Sequence, residues 1–275
     1  MGLRVVHRAA LMFVEVAGLR IAYERVGEGP PVFLLHGYVG DAVTTWRHQL
    51  DNLSDEFTVI AWDNPGSGRS ADPPESFSLA DFADCLAGFI RAVGVEPAHV
   101  IGLSFGGGLS LQLYDQHPSI PRSLVLADTY AGWKGSLPEE EVVRRLDQVL
   151  KLADRPPDEF AAVVAPTMFS SSIQDEILTS FAANIAQFHP VGLRAMAQSF
   201  AEADLRAVLP RIDVPTLLLY GDKDVRAPLS VAHEIHEAIY GSKLVIFPGV
   251  GHVSSVEAPE RFTEEVRWFL RGVDR

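Results

Sequence analysis

The chain predicts an α/β protein: a mostly parallel sheet flanked by helices, with a block of helices inserted late in the sheet. Three observations carry this. Short β-branched apolar runs alternate with helical patterns from Val32 to Ala127, and such alternation implies parallel strands joined by right-handed crossovers. The alternation stops once, from Gly132 to about Arg206, where only helical patterns remain. The chain has 275 residues, 47% of them hydrophobic, enough for one large buried sheet.

In chain order, Phe13–Val16 and Arg20–Val26 flank Ala17-Gly18-Leu19 and read as an N-terminal hairpin. Strand 32–35, helix 44–53, strand 57–62, helix 79–93, strand 98–103, helix 105–117 and strand 122–127 follow. The inserted block reads as Glu139–Lys151, Asp158–Ala165, Ile173–Gln187 and Gly192–Glu202, punctuated by Pro156-Pro157, Pro166 and Pro190. Strand 214–220, helix 229–240, strand 243–247 and helix Pro259–Arg271 complete the pattern. We therefore expect a core of residues 1–131 and 207–275, with 132–206 as a helical cap over one sheet edge.

The chemistry begins at Gly102-Leu103-Ser104-Phe105-Gly106, where a strand runs directly into a helix. A serine hydroxyl needs exposure, orientation and a base to act as a nucleophile. A Gly-x-Ser-x-Gly turn lets the two backbones approach closely and sets the hydroxyl at a helix N-terminus, which favours negative charge. Partners lie downstream: Asp224 just past strand 214–220, and His252 just past strand 243–247. Both fall at the strand-end edge where sites assemble in open parallel sheets. In this reading His252 takes and returns the Ser104 proton, and Asp224 holds its tautomer. The backbone N–H of Phe105, directly after the nucleophile, is one oxyanion donor.

Further motifs make the chain resemble the α/β-hydrolase fold superfamily, and within it the cap-bearing serine esterase and lactonase group that includes enol-lactone hydrolases. They are His36-Gly37-Tyr38 after strand 32–35, Asp63-x-x-Gly66-x-Gly68-x-Ser70, Gly221-x-x-Asp224-x-x-x-Pro228 and Gly251-His252. The resemblance covers roughly residues 14–270. It implies that the second oxyanion donor is the backbone N–H of Tyr38. Tyr38 departs from the small residues usual at this place and its ring is expected to wall the pocket, while His36 is read as bracing the loop rather than as catalytic. It implies a carboxylic ester or lactone substrate and no cofactor. Haloalkane dehalogenases and epoxide hydrolases on this fold carry aspartate where this chain has Ser104. Carbon–carbon hydrolases of aromatic degradation remain an alternative, although Tyr38-Val39-Gly40 departs from their Gly-rich loop. A ligand receptor with slow turnover is the other.

The remaining residues narrow the field. A net charge of −13 without a basic patch argues against nucleic acid or an anionic membrane as partner. Cys85 is the single cysteine and reads as a core residue, without a disulfide framework. Met1–Met12 is too short and interrupted for a secretion signal, so a cytoplasmic monomer or homodimer is expected. Asp222 is set aside as the acid in favour of Asp224. His233 and His236 are three apart on a helix with Glu234 and lack zinc spacing, so no metal is expected. Of the cap apolars, Trp133, Met168, Phe169, Phe181, Phe188 and Met196, most belong to the cap interior and a few to the pocket. Trp133 and His189 are the cap residues nominated for it.

Overall fold

The computed structural model describes residues 9–275, so most of the Met1–Met12 stretch lies outside the described residues. The hairpin forms as its turn chemistry dictates. β1 (Ala10–Val16) and β2 (Leu19–Val26) pair antiparallel across Ala17 and Gly18. Both turn residues have positive φ, 50° and 80°, the combination that matches the twist of the flanking strands.

Beyond the hairpin the chain winds a parallel sheet. β3 (Pro31–Leu35), β4 (Thr58–Trp62), β5 (Ala98–Leu103), β6 (Pro121–Ala127), β7 (Thr216–Gly221) and β8 (Lys243–Phe247) complete eight strands in the order β1-β2-β4-β3-β5-β6-β7-β8. Only β1–β2 and β2–β4 are antiparallel. β4, β5 and β7 are buried along their whole length. That explains why they read as continuous apolar runs rather than alternating ones. β7 starts two residues later than the pattern suggests, after Val214-Pro215, because proline has no N–H for the ladder.

The helices form where caps and apolar stripes specify them. α1 (Ala42–Leu53) is capped by Asp41, whose carboxylate accepts the Thr44 N–H at 2.7 Å. α2 (Leu79–Ala92) has a reciprocal capping box between Ser78 and Asp81. α3 (Phe105–Gln116) follows β5 with only Ser104 between. Between β6 and β7 come only helices: α4 (Trp133–Ser136), α5 (Glu139–Ala153), α6 (Pro157–Val164), α7 (Asp175–Ile185) and α8 (Pro190–Glu202), with 3₁₀ turns at Ala165–Thr167 and Leu209–Arg211. α9 (Leu229–Ala238), α10 (Ser254–Glu257) and α11 (Pro259–Val273) finish the chain. α11 buries Phe262, Val266, Phe269 and Leu270, one face at the 3.6-residue period.

The order of strands locates the functional edge. From β3 the chain steps outward to β4 on one side, then returns to place β5 on the other. This is the topological switch point, and the crevice opens beyond the C-terminal ends of β3 and β5. His36-Gly37-Tyr38 leaves one of these ends and Ser104 the other.

Candidate active site

Ser104 occupies strained backbone, with φ 54° and ψ −114°. Such geometry is held only where its surroundings over-determine it. The neighbouring glycines explain how: a Cβ on Gly102 would collide with the Gly106 carbonyl, and one on Gly106 with the Leu35 carbonyl. The Ser104 carbonyl accepts the Thr129 hydroxyl and the N–H groups of Gly107 and Gly108. The side chain is thereby aimed off the sheet edge.

His252 lies across from it. Its Nε2 is 2.9 Å from Ser104 Oγ, and its Nδ1 is 2.7 Å from Asp224 Oδ2. The second Asp224 oxygen accepts the main-chain N–H groups of Arg226 and Ala227 at 2.7 and 2.9 Å. The carboxylate is thus fixed from behind and presents one oxygen to the imidazole. An acceptor at Nδ1 leaves Nε2 free to receive a proton from the hydroxyl. All three residues are buried, which strengthens each electrostatic contact relative to water.

Asp222 takes a different path. One oxygen accepts the Gly249 N–H at 2.6 Å and the other meets Lys223. The Gly249 N–H above all holds its carboxyl below the ordinary value. It ties two exposed turns together and stays away from the imidazole.

The loop after β3 passes directly over the serine: a Cβ on Gly37 would lie 3.6 Å from the Ser104 Cβ. His36 pins this loop. Its Nε2 accepts the Asn64 N–H at 2.9 Å, and its Nδ1–H donates to the Gly37 carbonyl at 2.7 Å. Full burial pushes the imidazole pKa below its usual value, which keeps Nε2 an acceptor. Among the described residues, the main-chain N–H groups of Tyr38 and Phe105 have no protein partner.

Three residues that the sequence did not single out complete the frame. Asp128, at φ 46°, is buried at the end of β6 and accepts from Gly221 N–H and from the N–H and hydroxyl of Ser254. Burial and the nearby Asp224 charge hold its carboxyl well above the ordinary value. Glu257 accepts from the Ser170 N–H and hydroxyl and from the Gly251 N–H. It therefore fastens the insertion to the turn carrying His252, as do the His252 and Val253 N–H groups, which both donate to the Met168 carbonyl. Arg226 donates to the hydroxyls of Tyr38 and Thr167. A carboxylate's role depends on which groups face it across the fold, and neither Asp128 nor Glu257 lies in a motif that reports those contacts.

The space over Ser104 is small, about 10 Å³, lined by Tyr38, Met168, Phe181, His252 and main chain of Gly37. That is room for about one water. Trp133 stands behind Tyr38, its ring edge-on at 6.1 Å and also against Phe200. His189 lines a neighbouring cavity of about 440 Å³, which shares Tyr38 and Val39 with the serine cavity, and its Nδ1 is 2.7 Å from Asp72. Of the residues nominated for the pocket, the structure brings Tyr38 to the serine and sets Trp133 and His189 one layer back. His233 is exposed and His236 meets Ser242. No cluster of three metal-ligating side chains occurs among the described residues.

Comparison with known proteins gives the family and the fold. Residues 30–259 match the model of the alpha/beta hydrolase fold family. A human serine hydrolase is 27% identical over 94% of this chain and 85% of its own. The structure of a thermophilic esterase from Thermogutta terrifontis superposes with a TM-score of 0.85, at 29% identity, over 97% of this chain and 99% of the esterase. An enol-lactonase from Burkholderia xenovorans shares the fold, with a TM-score of 0.85 at 24% identity over 94% and 100% of the two chains. The chain belongs to the α/β-hydrolase family of hydrolases.

Proposed function

We propose that this hydrolase cleaves a carboxylic ester or lactone through an acyl-enzyme on Ser104. The observation that carries the reading is the unbroken hydrogen-bond relay from Ser104 Oγ through both His252 nitrogens to Asp224. Ser104 Oγ attacks the carbonyl carbon as His252 Nε2 takes its proton. Asp224 stabilises the imidazolium, which then protonates the leaving alkoxide. The negative charge on the tetrahedral oxygen is met by the main-chain N–H groups of Tyr38 and Phe105, on the two strand ends that border the switch point. Water, deprotonated by the same imidazole, then attacks the acyl-enzyme and releases the acid. No step calls for a metal or cofactor.

The small substrate would enter beneath the helices α4–α8, which we read as a cap spanning residues 132–206 on a core of 1–131 and 207–275. The buried lone Cys85, whose thiol burial pushes up to about 12, suits a reducing, cytoplasmic setting. No helix among the described residues is long and apolar enough to cross a membrane. The similarity to a solved esterase at 29% identity supports ester hydrolysis over carbon–carbon cleavage.

The test is hydrolysis of p-nitrophenyl butyrate. Ser104→Ala should lower kcat by on the order of a million-fold while the thermal midpoint stays near that of the parent. Activity within tenfold of the parent would remove Ser104 from the mechanism.

A further inference from the structure

Behind the Tyr38 ring lies a third cavity, of about 180 Å³, which shares with the serine cavity only Tyr38. Its apolar walls come from Val149, Leu152 and Val164; beside the neutral Gln148 and Thr167, its charged groups are all guanidinium heads: Arg226 from the turn after β7, and Arg144 and Arg145 from α5. Arg144 and Arg145 share a single carboxylate, Glu141, and hold its pKa down to about 2. Arg145 also donates to the Tyr130 hydroxyl and the Arg226 carbonyl. Arg226, half-buried, has no carboxylate within ion-pair distance among the described residues. Its guanidinium rests on two neutral hydroxyls, Tyr38 and Thr167, and over the Tyr38 ring.

This is a local excess of positive charge in a chain of net charge −13. A guanidinium left with hydroxyl partners in a partly dry site has donors to spare for a carboxylate, and pairs with it more strongly than with a neutral oxygen. The latch also matters. The serine cavity is too small for an ester, and the Tyr38 ring is what stands between it and the arginine cavity. Tyr38 is held there by the Arg226 guanidinium. A carboxylate arriving at Arg226 would compete with the Tyr38 hydroxyl, release the ring and join the two spaces.

We propose that Arg226 is the receptor for a carboxylate at the far end of the acyl group, so that this site takes monoesters of short dicarboxylic acids, with Tyr38 as the partition their binding displaces. The proposal rests on the esterase reading above and deepens it. It names a specificity determinant distinct from the relay: the Arg226 contact to Asp224 is made by main chain and survives side-chain replacement.

The experiment compares p-nitrophenyl butyrate with mono-p-nitrophenyl glutarate, a neutral ester and one ending in a carboxylate. The parent should favour the glutarate ester by at least about tenfold in kcat/KM at low salt, the preference shrinking as ionic strength screens the pair. Arg226→Gln should bring that preference to within about twofold, through KM. Arg226→Lys keeps the charge and should retain part of it. If Arg226 acted only by supporting Asp224, both esters would lose kcat equally, and the inference would fall. A parent that prefers the neutral ester would overturn it as well. Should the parent hydrolyse neither ester, the esterase reading itself fails. Equilibrium binding of the glutarate ester to Ser104→Ala protein then still tests recognition: affinity that drops with Arg226→Gln supports the receptor, and unchanged affinity rejects it.

Discussion

Asp224 gives one oxygen to two main-chain N–H groups and the other to His252, whereas Asp222 spends both on Gly249 and Lys223. Two substitutions separate these roles. Asp224→Asn should lower kcat by about four orders of magnitude, since the amide favours the wrong imidazole tautomer. Asp222→Asn should change kcat by less than about threefold, read with p-nitrophenyl butyrate; the reverse order would move the acid to Asp222. His36 makes a prediction about pH. Burial holds its pKa below 6.5 in the folded chain, so the unfolded chain binds the proton first. Its contribution to stability is therefore complete above about pH 6.5 and is lost as pH falls below that value. His99, also lowered by burial, acts in the same sense, and Asp128, raised by burial, in the opposite one. The prediction is thus a difference. Between pH 6.5 and 5, unfolding free energy should fall more steeply for the parent than for His36→Gln, by up to about 1.4 kcal/mol per pH unit. Parallel urea-denaturation profiles would show that His36 is not the group responsible.

At the scale of elements, the strand-to-helix turns carry the chemistry and were legible because each has a local signature. Gly102 and Gly106 flank Ser104 since the backbones leave no room for a Cβ, and Asp224 and His252 each follow an apolar run that ends in a turn. The helices α5 to α8 were also legible, from their proline-bounded apolar stripes. The short α4 and α10 were not, because four residues make barely one turn and cannot show a repeating period. The fastening of the insertion to the sheet was equally hidden. It depends on Glu257 meeting Ser170 and Gly251 across 87 and 6 positions, and no sequence interval encodes such a meeting. Glu257→Ala removes an acceptor from three donors, so it should cost about 1–3 kcal/mol. It should also lower kcat/KM by about tenfold or more, because Gly251 adjoins the base. Differential scanning calorimetry with butyrate-ester kinetics checks both; full activity at an unchanged midpoint would mean the insertion is held by other contacts.

Over the whole molecule, the distribution of burial explains both what the sequence announced and what it kept. The parallel sheet is apolar on both faces, so its strands stand out as runs, and the order of motifs along the chain yields the relay. The two cavities that meet at Tyr38 are built from single side chains of separate elements: Met168 after α6 and Phe181 on α7 line the one over Ser104, and Arg226 after β7 lines the other. Apolar residues on the helices between β6 and β7 look alike in sequence whether they face one another or the serine. For that reason Trp133 and His189 were nominated, while Met168 and Phe181 reached the cavity. The space of about 10 Å³ over Ser104 holds about one water, less than an ester needs.

The central claim is that Ser104 forms the covalent intermediate, and labelling tests it most directly. The protein is treated with a fluorophosphonate, whose phosphorus accepts an activated serine and mimics the tetrahedral state, and the labelled peptide is located by mass spectrometry. One equivalent should attach to Ser104, in step with loss of butyrate-ester hydrolysis, and His252→Ala should abolish attachment. A label on any other residue, or hydrolysis that persists after complete labelling of Ser104, would contradict the account.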